Sequence, residues 1–253
     1  MAGKLRLKPI QGGFMMALTY ALLSTVTMAA GDVDPTADRV LREMSDYLGK
    51  QEHFSVRTEN TIEVVQPNGQ KIQYDSPVDA VVQRPDKLHA RRTGGVLDQE
   101  LFYDGKTITL YNPADKVYAA LGAPPTLEAA FDYAMANFDL YAPAADLIYK
   151  NCYNLLMEDV VSGSYIGLGV VDGVRCHHLA YRGNEVDWQI WVEVGDKPLP
   201  RKFIITTKWM TGAPQFTLTV REWDISPKIR SGMFTFTPPA GVERINFLPA
   251  TAN

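Results

Sequence analysis

The sequence predicts an α+β protein built on a large curved antiparallel sheet wrapped over a few helices. Three observations predict it. Runs with a period of two fill residues 54–118 and 165–224. Asn68-Gly69, Asp104-Gly105 and Asp172-Gly173 punctuate those runs as short hairpin turns. Helical periodicity is confined to one segment near the start and a cluster in the middle. Consecutive strands joined by short turns form a curved sheet or barrel, and so few clustered helices exclude a parallel, doubly wound sheet.

The chain has 253 residues, 46% hydrophobic and 21% charged, a balance that folds. Its first thirty residues differ from the rest. Lys4, Arg6 and Lys8 begin it without an acid, and an apolar run follows from Phe14 to Val26. Small residues close it in "TMAAG", with Ala29 and Ala30 at the expected cleavage point. That order predicts a secretory signal peptide over residues 1–30 and an exported single domain over 31–253. The run is too short and too often interrupted to be an anchor, so the exported chain is not expected to span a membrane. No Cys stands at the cleavage point to be acylated. Removing three positive charges moves the formal net charge from −4 to −7, which disfavours nucleic acid as a partner.

The elements follow in order. Asp34 caps and Pro35 opens a helix in "DPTADRVLREMSDYLGK", with Val40, Met44, Tyr47 and Leu48 on one face and Gly49 as its stop. Phe54, Val56, Thr58, Asn60, Ile62 and Val64 share one face of a strand, and Ile72 and Tyr74 resume the period after the Asn68-Gly69 turn. Pro77 and Pro85 mark bends or edges. Strands carrying Phe102, Ile108, Leu110 and Val117 flank the turn at Asp104-Gly105. Thr126 caps a helix whose stripe is Leu127, Ala130, Phe131, Ala134, Met135 and Phe138. Shorter helical pieces follow in "AADLIYK" and "NCYNLLMEDV". A hairpin turns at Asp172-Gly173. "VDWQIWVEV" then alternates Val186, Trp188, Ile190 and Val192 against Asp187, Gln189, Trp191 and Glu193. "RKFIITTKW" and "QFTLTVREW" are two more strands, and "MFTFTPPAGV" ends the fold.

The chemical motifs are few. "DGKT" at 104–107 lacks the phosphate loop's first glycine, since Glu100 stands there. "GLGVVDG" at 167–173 has one residue too many for a dinucleotide fingerprint and precedes a strand. Neither a G-x-S-x-G elbow nor an H-E-x-x-H pair occurs. The stretch "VDGVRCHHLAYRG" offers Cys176, His177 and His178, but a strand sends His177 to one face and Cys176 and His178 to the other. Three ligands cannot converge from it, although a metal or hydrolytic site around Cys176 and His178 stays as the lesser alternative. The expectation is a disulfide between Cys152 and Cys176, the only two cysteines of an exported chain. Closing that loop would stabilise the fold by ~3.5 kcal/mol in the chain-entropy model. No cofactor, metal or catalytic residue is expected.

The aromatic residues admit two readings, a packed core or the wall of a cavity between the sheet and its helices. The cavity reading selects Phe131, Met135 and Phe138 from the central helix. From the strands it selects Trp188, Ile190, Val192, Phe203, Ile205, Phe216 and Leu218.

The order of elements resembles the LolA/LolB-like periplasmic lipoprotein-carrier superfamily. The resemblance rests on "RPDKLHARR", with its P-x-K strand at Arg84–Arg91, and on "YDGKTITLYNPADKVYA" at Asp104–Pro113. It rests also on "DKPLPRKFII" and on the F-x-F-x-P-P-x-G ending at Phe234–Gly241. "CHHLAYRGNEVDWQIWVEVGDKPLPRKFIITT" is similar to a family of predicted periplasmic proteins of unknown function within that superfamily. The likeness covers residues 35–245. It implies an unclosed barrel over helices with an apolar cavity for acyl chains. It also implies a periplasmic, non-enzymatic binder or carrier of a lipid, acyl chain or other apolar ligand. An envelope-stress sensor or protein-interaction module on the same fold, with an envelope protein as partner, is the alternative. The carriers lack the Cys152/Cys176 pair and the "CHH" stretch.

Overall fold

The structure is a computed structural model and describes residues 32–94, 98–140 and 142–250. The expected signal peptide lies outside the described residues. Among them, no helix is long and apolar enough to cross a membrane.

Helix α1 (Pro35–Gly49) begins where the sequence places it. The Asp34 carboxylate accepts from the Thr36 and Ala37 amides at 2.6 and 3.3 Å, and Pro35 occupies the first turn. Val40, Leu41, Met44 and Leu48 are buried along one face. Five strands then lead outward: β1 (His53–Val65), β2 (Lys71–Gln83), β3 (Lys87–Arg92), β4 (Gln99–Tyr103) and β5 (Thr107–Asn112). Strand β6 (Val117–Gly122) completes this half. Helix α2 (Leu127–Phe138), a 3₁₀ turn (Ala145–Ile148) and α3 (Cys152–Met157) cross to the far edge. The chain returns through β7 (Val160–Val171), β8 (Val174–Gly183), β9 (Val186–Glu193), β10 (Pro200–Thr207) and β11 (Gln215–Asp224). A short β12 (Glu243–Ile245) ends it.

One sheet holds all twelve strands, in the order β12-β6-β5-β4-β3-β2-β1-β11-β10-β9-β8-β7. Two meanders therefore meet where β1 pairs with β11, and β7 and β12 are the two edges, with Val33 bridging β7 at Gly163. The barrel is unclosed, as the resemblance implies. Among the described residues the strands pair antiparallel except β12 on β6, which is parallel, as is the single bridge of Val33 to Gly163. The Asp172-Gly173 turn joins β7 and β8 with φ of 48° and 81°, the left-handed pair that a two-residue hairpin with right-twisted strands requires. Pro77 lies inside β2, yet it costs little there. Its carbonyl accepts from Thr93 just as β3 ends, so its missing N–H faces the side where pairing stops.

Alternation divides the sheet into a concave face toward the helices and a convex face. On the concave side two cores form. The larger packs α1, the 3₁₀ turn and α3 against Leu179, Tyr181, Ile190, Val192, Phe203 and Leu218. There the Tyr181 hydroxyl donates to the Ala37 carbonyl at 3.0 Å and fastens α1 to β8. The smaller core packs α2 against Phe54, Val82, Leu88, Tyr103, Ile108 and Leu121. Trp223 touches both cores, 5.5 Å from Phe54 between ring centroids, and its indole N–H donates to the Pro200 carbonyl at 2.9 Å.

The C-terminal segment is a strap rather than a regular strand. Phe236 sits on the convex face against Phe102, Tyr111 and Tyr118, with ring centroids 5.3, 5.1 and 5.1 Å away. The chain then pairs with β6 as β12 and turns to the concave side. There Phe247 meets Phe138 at 5.7 Å, and the Ala250 amide donates to the Asn137 carbonyl at 2.8 Å.

Candidate functional site

Between α2 and the concave face of β1–β5 lies a cavity of about 250 Å³. Its floor is set by strand alternation. Ile62, Val78, Ala90, Leu101 and Leu110 all point inward from neighbouring strands, and Ile108 closes the deep end. Its roof is Phe131 and Ala134 of α2 with Leu140 and Pro143 beyond it. The cavity exists because α2 presents small side chains here. Ala130 and Ala134 are the helix's buried positions after Leu127, and they leave space that leucines would fill. The helix then stops at Asp139, in the left-handed region at φ 51°, and its amide donates to the last-turn carbonyls. The roof therefore continues as irregular chain.

One rim of the cavity is polar. Asn60 of β1 stands opposite Ser76 of β2, and Arg92 at the end of β3 stands opposite Gln99 at the start of β4. Ser76 is buried, and its hydroxyl accepts from the Arg92 Nε at 3.1 Å. The Asn60 Oδ1 is buried without a hydrogen-bond partner among the described residues.

The residues expected to line a cavity separate into three groups. Phe131 and Phe216 stand on its wall. Trp188, Ile190, Val192, Phe203, Ile205 and Leu218 belong to the larger core beneath α1 and α3, where Trp188 stacks on Tyr181 at 4.1 Å. Met135 is half exposed on the solvent side of α2, and Phe138 packs with Tyr133 and Phe247. The floor residues Val78, Ala90 and Leu101 and the polar rim were not singled out from the sequence. A usable signal was present: Asn60 is a polar residue within the inward set Phe54–Val64.

The expected Cys152–Cys176 disulfide is not formed; both are free, buried thiols. Alternation gives the reason. Leu179 and Tyr181 of β8 point into the larger core, so Cys176 points to the convex face beside Glu193 and Arg201. Cys152, at the start of α3, lies in the larger core on the concave side. The sheet itself stands between them. Burial raises both thiols, Cys176 to about 11 with the Glu193 carboxylate adding to it, so neither is a ready thiolate. The histidines divide as the strand demands. His177 faces inward, 3.0 Å from the Tyr165 hydroxyl. His178 faces outward, stacked on Trp191 at 4.0 Å with its Nε2 3.0 Å from Gln189. Burial holds both imidazoles below their ordinary value. Among the described residues no three His, Cys, Asp or Glu side chains gather to hold a metal ion.

A second, polar cleft lies where α1 ends near the start of α2. There Arg84 is almost wholly buried, its Nε donating to the Gln51 carbonyl at 3.1 Å and its Nη1 3.6 Å from the Glu128 carboxylate. This pair ties the end of β2 to the first turn of α2.

Residues 37–248 match the model of a family described as predicted periplasmic protein (DUF2092), and the chain belongs to that family. The family is the kind that the sequence resemblance pointed to, and its description places the chain in the periplasm. No curated protein matches it. Among solved structures, LprF from Mycobacterium bovis is similar at 12% identity and a TM-score of 0.49, covering 80% of this chain and 99% of that one. The lipoprotein LppX from Mycobacterium tuberculosis is similar at 14% identity and 0.46, covering 78% and 100%. An uncharacterized conserved protein from Thermus thermophilus is similar at 8% identity and 0.49, covering 83% and 99%.

The thiol assignment has a direct test. Protein purified without reductant should show no reactive thiol with Ellman's reagent while folded, because both sulfurs are buried. It should show two per chain after unfolding. Finding none in the unfolded protein would restore the disulfide.

Proposed function

We propose that this protein binds an apolar chain, such as an acyl chain, in the cavity beneath α2, and that it carries or presents this ligand without catalysis. The observation that supports the reading is the cavity's wall. Aliphatic and aromatic side chains from six strands, β1–β5 and β11, and a helix surround space that the protein leaves unfilled. Pockets of this composition gain affinity by removing apolar surface from water, at about 25 cal/mol per Å². Burial raises both thiols, and both histidines are engaged in packing and hydrogen bonds, and all four lie outside the cavity wall, so none of them serves it as an activated nucleophile.

Filling the cavity tests this reading. Ala90→Phe places a ring on the floor between α2 and β3. Titration with the fluorescent apolar probe N-phenyl-1-naphthylamine should give one saturable site in the natural protein. That site should weaken at least tenfold in the variant, while the circular dichroism spectrum stays unchanged. Equal binding by both proteins would remove the cavity from the function.

A second reading, docking of an extended segment from an envelope protein, is favoured by the β7 edge. Residues 32–34 cover that edge at Gly163, but beyond it Ile166, Leu168 and Val170 are exposed, and Val160–Val171 contains no charge or proline. Leu168→Lys should abolish capture of such a partner from periplasmic extract and leave the probe titration intact. Capture unaffected by the substitution would remove β7 from that role.

A further inference from the structure

We propose that the cavity selects a single-chain amphiphile with an anionic head group, and that Arg92 receives the oxyanion at the polar rim. This inference rests on the apolar-chain reading above and adds the chemistry of the ligand's other end.

The register of the sheet brings the polar side chains together. On the concave face Asn60 pairs with Ser76, Val78 with Arg92, and Arg92 with Gln99. These four polar side chains thus form one diagonal strip across β1–β4. Arg92 ends β3 and Gln99 begins β4, so the strip lies at the mouth. The opposite direction along the same strands leads through Ala90 and Leu101 to Ile108, Leu88 and Tyr103, which are apolar or buried. The cavity is therefore polar at one end and apolar at the other, the polarity of an amphiphile.

The strip also lacks an internal counter-charge. Arg57, Arg91, Arg201 and Arg221 each meet a carboxylate within 4.0 Å. Arg92 meets none among the described residues; its Nε donates to the Ser76 hydroxyl instead. That contact leaves the guanidinium's other N–H groups for a second acceptor, and a planar guanidinium fits an oxyanion with paired hydrogen bonds. By accepting from Arg92, the buried Ser76 hydroxyl keeps its own proton to donate to the same head group. The Asn60 Oδ1, buried without a partner, can accept the one remaining proton of a monoalkyl phosphate monoanion; a carboxylate offers it none. A volume of about 250 Å³ stands at the small end of ligand pockets and suits one hydrocarbon chain rather than several.

The shared chemistry is an oxyanion on one alkyl chain, which a fatty carboxylate or a monoalkyl phosphate can supply. Isothermal titration at pH 7.5 with dodecanoate, dodecyl phosphate, dodecanol and dodecyltrimethylammonium separates the possibilities. At least one anion should bind tenfold or more tightly than both dodecanol and the cation, and the stronger anion identifies the source. Arg92→Gln should reduce the preferred anion to the level of dodecanol and leave dodecanol binding unchanged. Equal binding of dodecanol and the anions by the natural protein would overturn the head-group site and leave the chain-binding reading standing. So would an Arg92→Gln variant that keeps anion preference. Failure of all four compounds to bind would overturn both.

Discussion

The concave face of a twelve-stranded sheet is larger than three short helices can cover, and most of the structure follows from that mismatch. A curved sheet must hide its apolar side from water. Over β8–β11 the task is met by α1, whose leucines, valine and methionine interdigitate with aromatic strand residues. Over β1–β6 only α2 is available, and it turns alanines toward the sheet. One half is consequently a packed core and the other a core with a cavity in it. The two halves share a backbone architecture and differ in side-chain volume.

Two features keep the hollow half from collapsing. Trp223 bridges the cores, anchored by the Pro200 carbonyl and packed on Phe54, so the junction of the meanders is filled on the concave side. On the convex side, the strap carrying Phe236 lies across three aromatic residues of β4–β6 before pairing with the β6 edge. The strap braces the strands from behind, so their curvature does not depend on filling the concave side. Its return to α2 through Phe247 and Ala250 fixes the roof as well.

Much of this architecture is legible in the sequence. Period-two runs and three turn pairs locate the hairpins, and Asp34 and Thr126 locate the starts of α1 and α2. The split of His177 from His178 follows from alternation alone. The same alternation, applied to Cys176 and its neighbours Leu179 and Tyr181, places the thiol opposite the helices, whereas the redox chemistry of an exported chain points to a pair. Geometry prevails, because the sheet separates the two sulfurs. The cavity is harder to read. The strongest apolar strand, with Trp188, Ile190 and Val192, looks like a ligand wall because hydrophobicity marks buried positions without saying whether a helix or a void faces them. The actual wall depends on small residues, Ala90 and Ala134, and on which strand of a meander comes to lie under α2. That placement is fixed by the long crossover between β6 and β7, whose helices have a periodic trace but whose path across the sheet has none.

The proposed function stands or falls with occupancy of the void beneath α2. Its most direct test is a crystal structure of the protein with a fatty acid brominated at the end of its chain. An anomalous bromine peak is expected inside the cavity, between Phe131 and Leu101. A bromine peak between α1 and β8–β10 or along β7, with the space under α2 left empty, would contradict it.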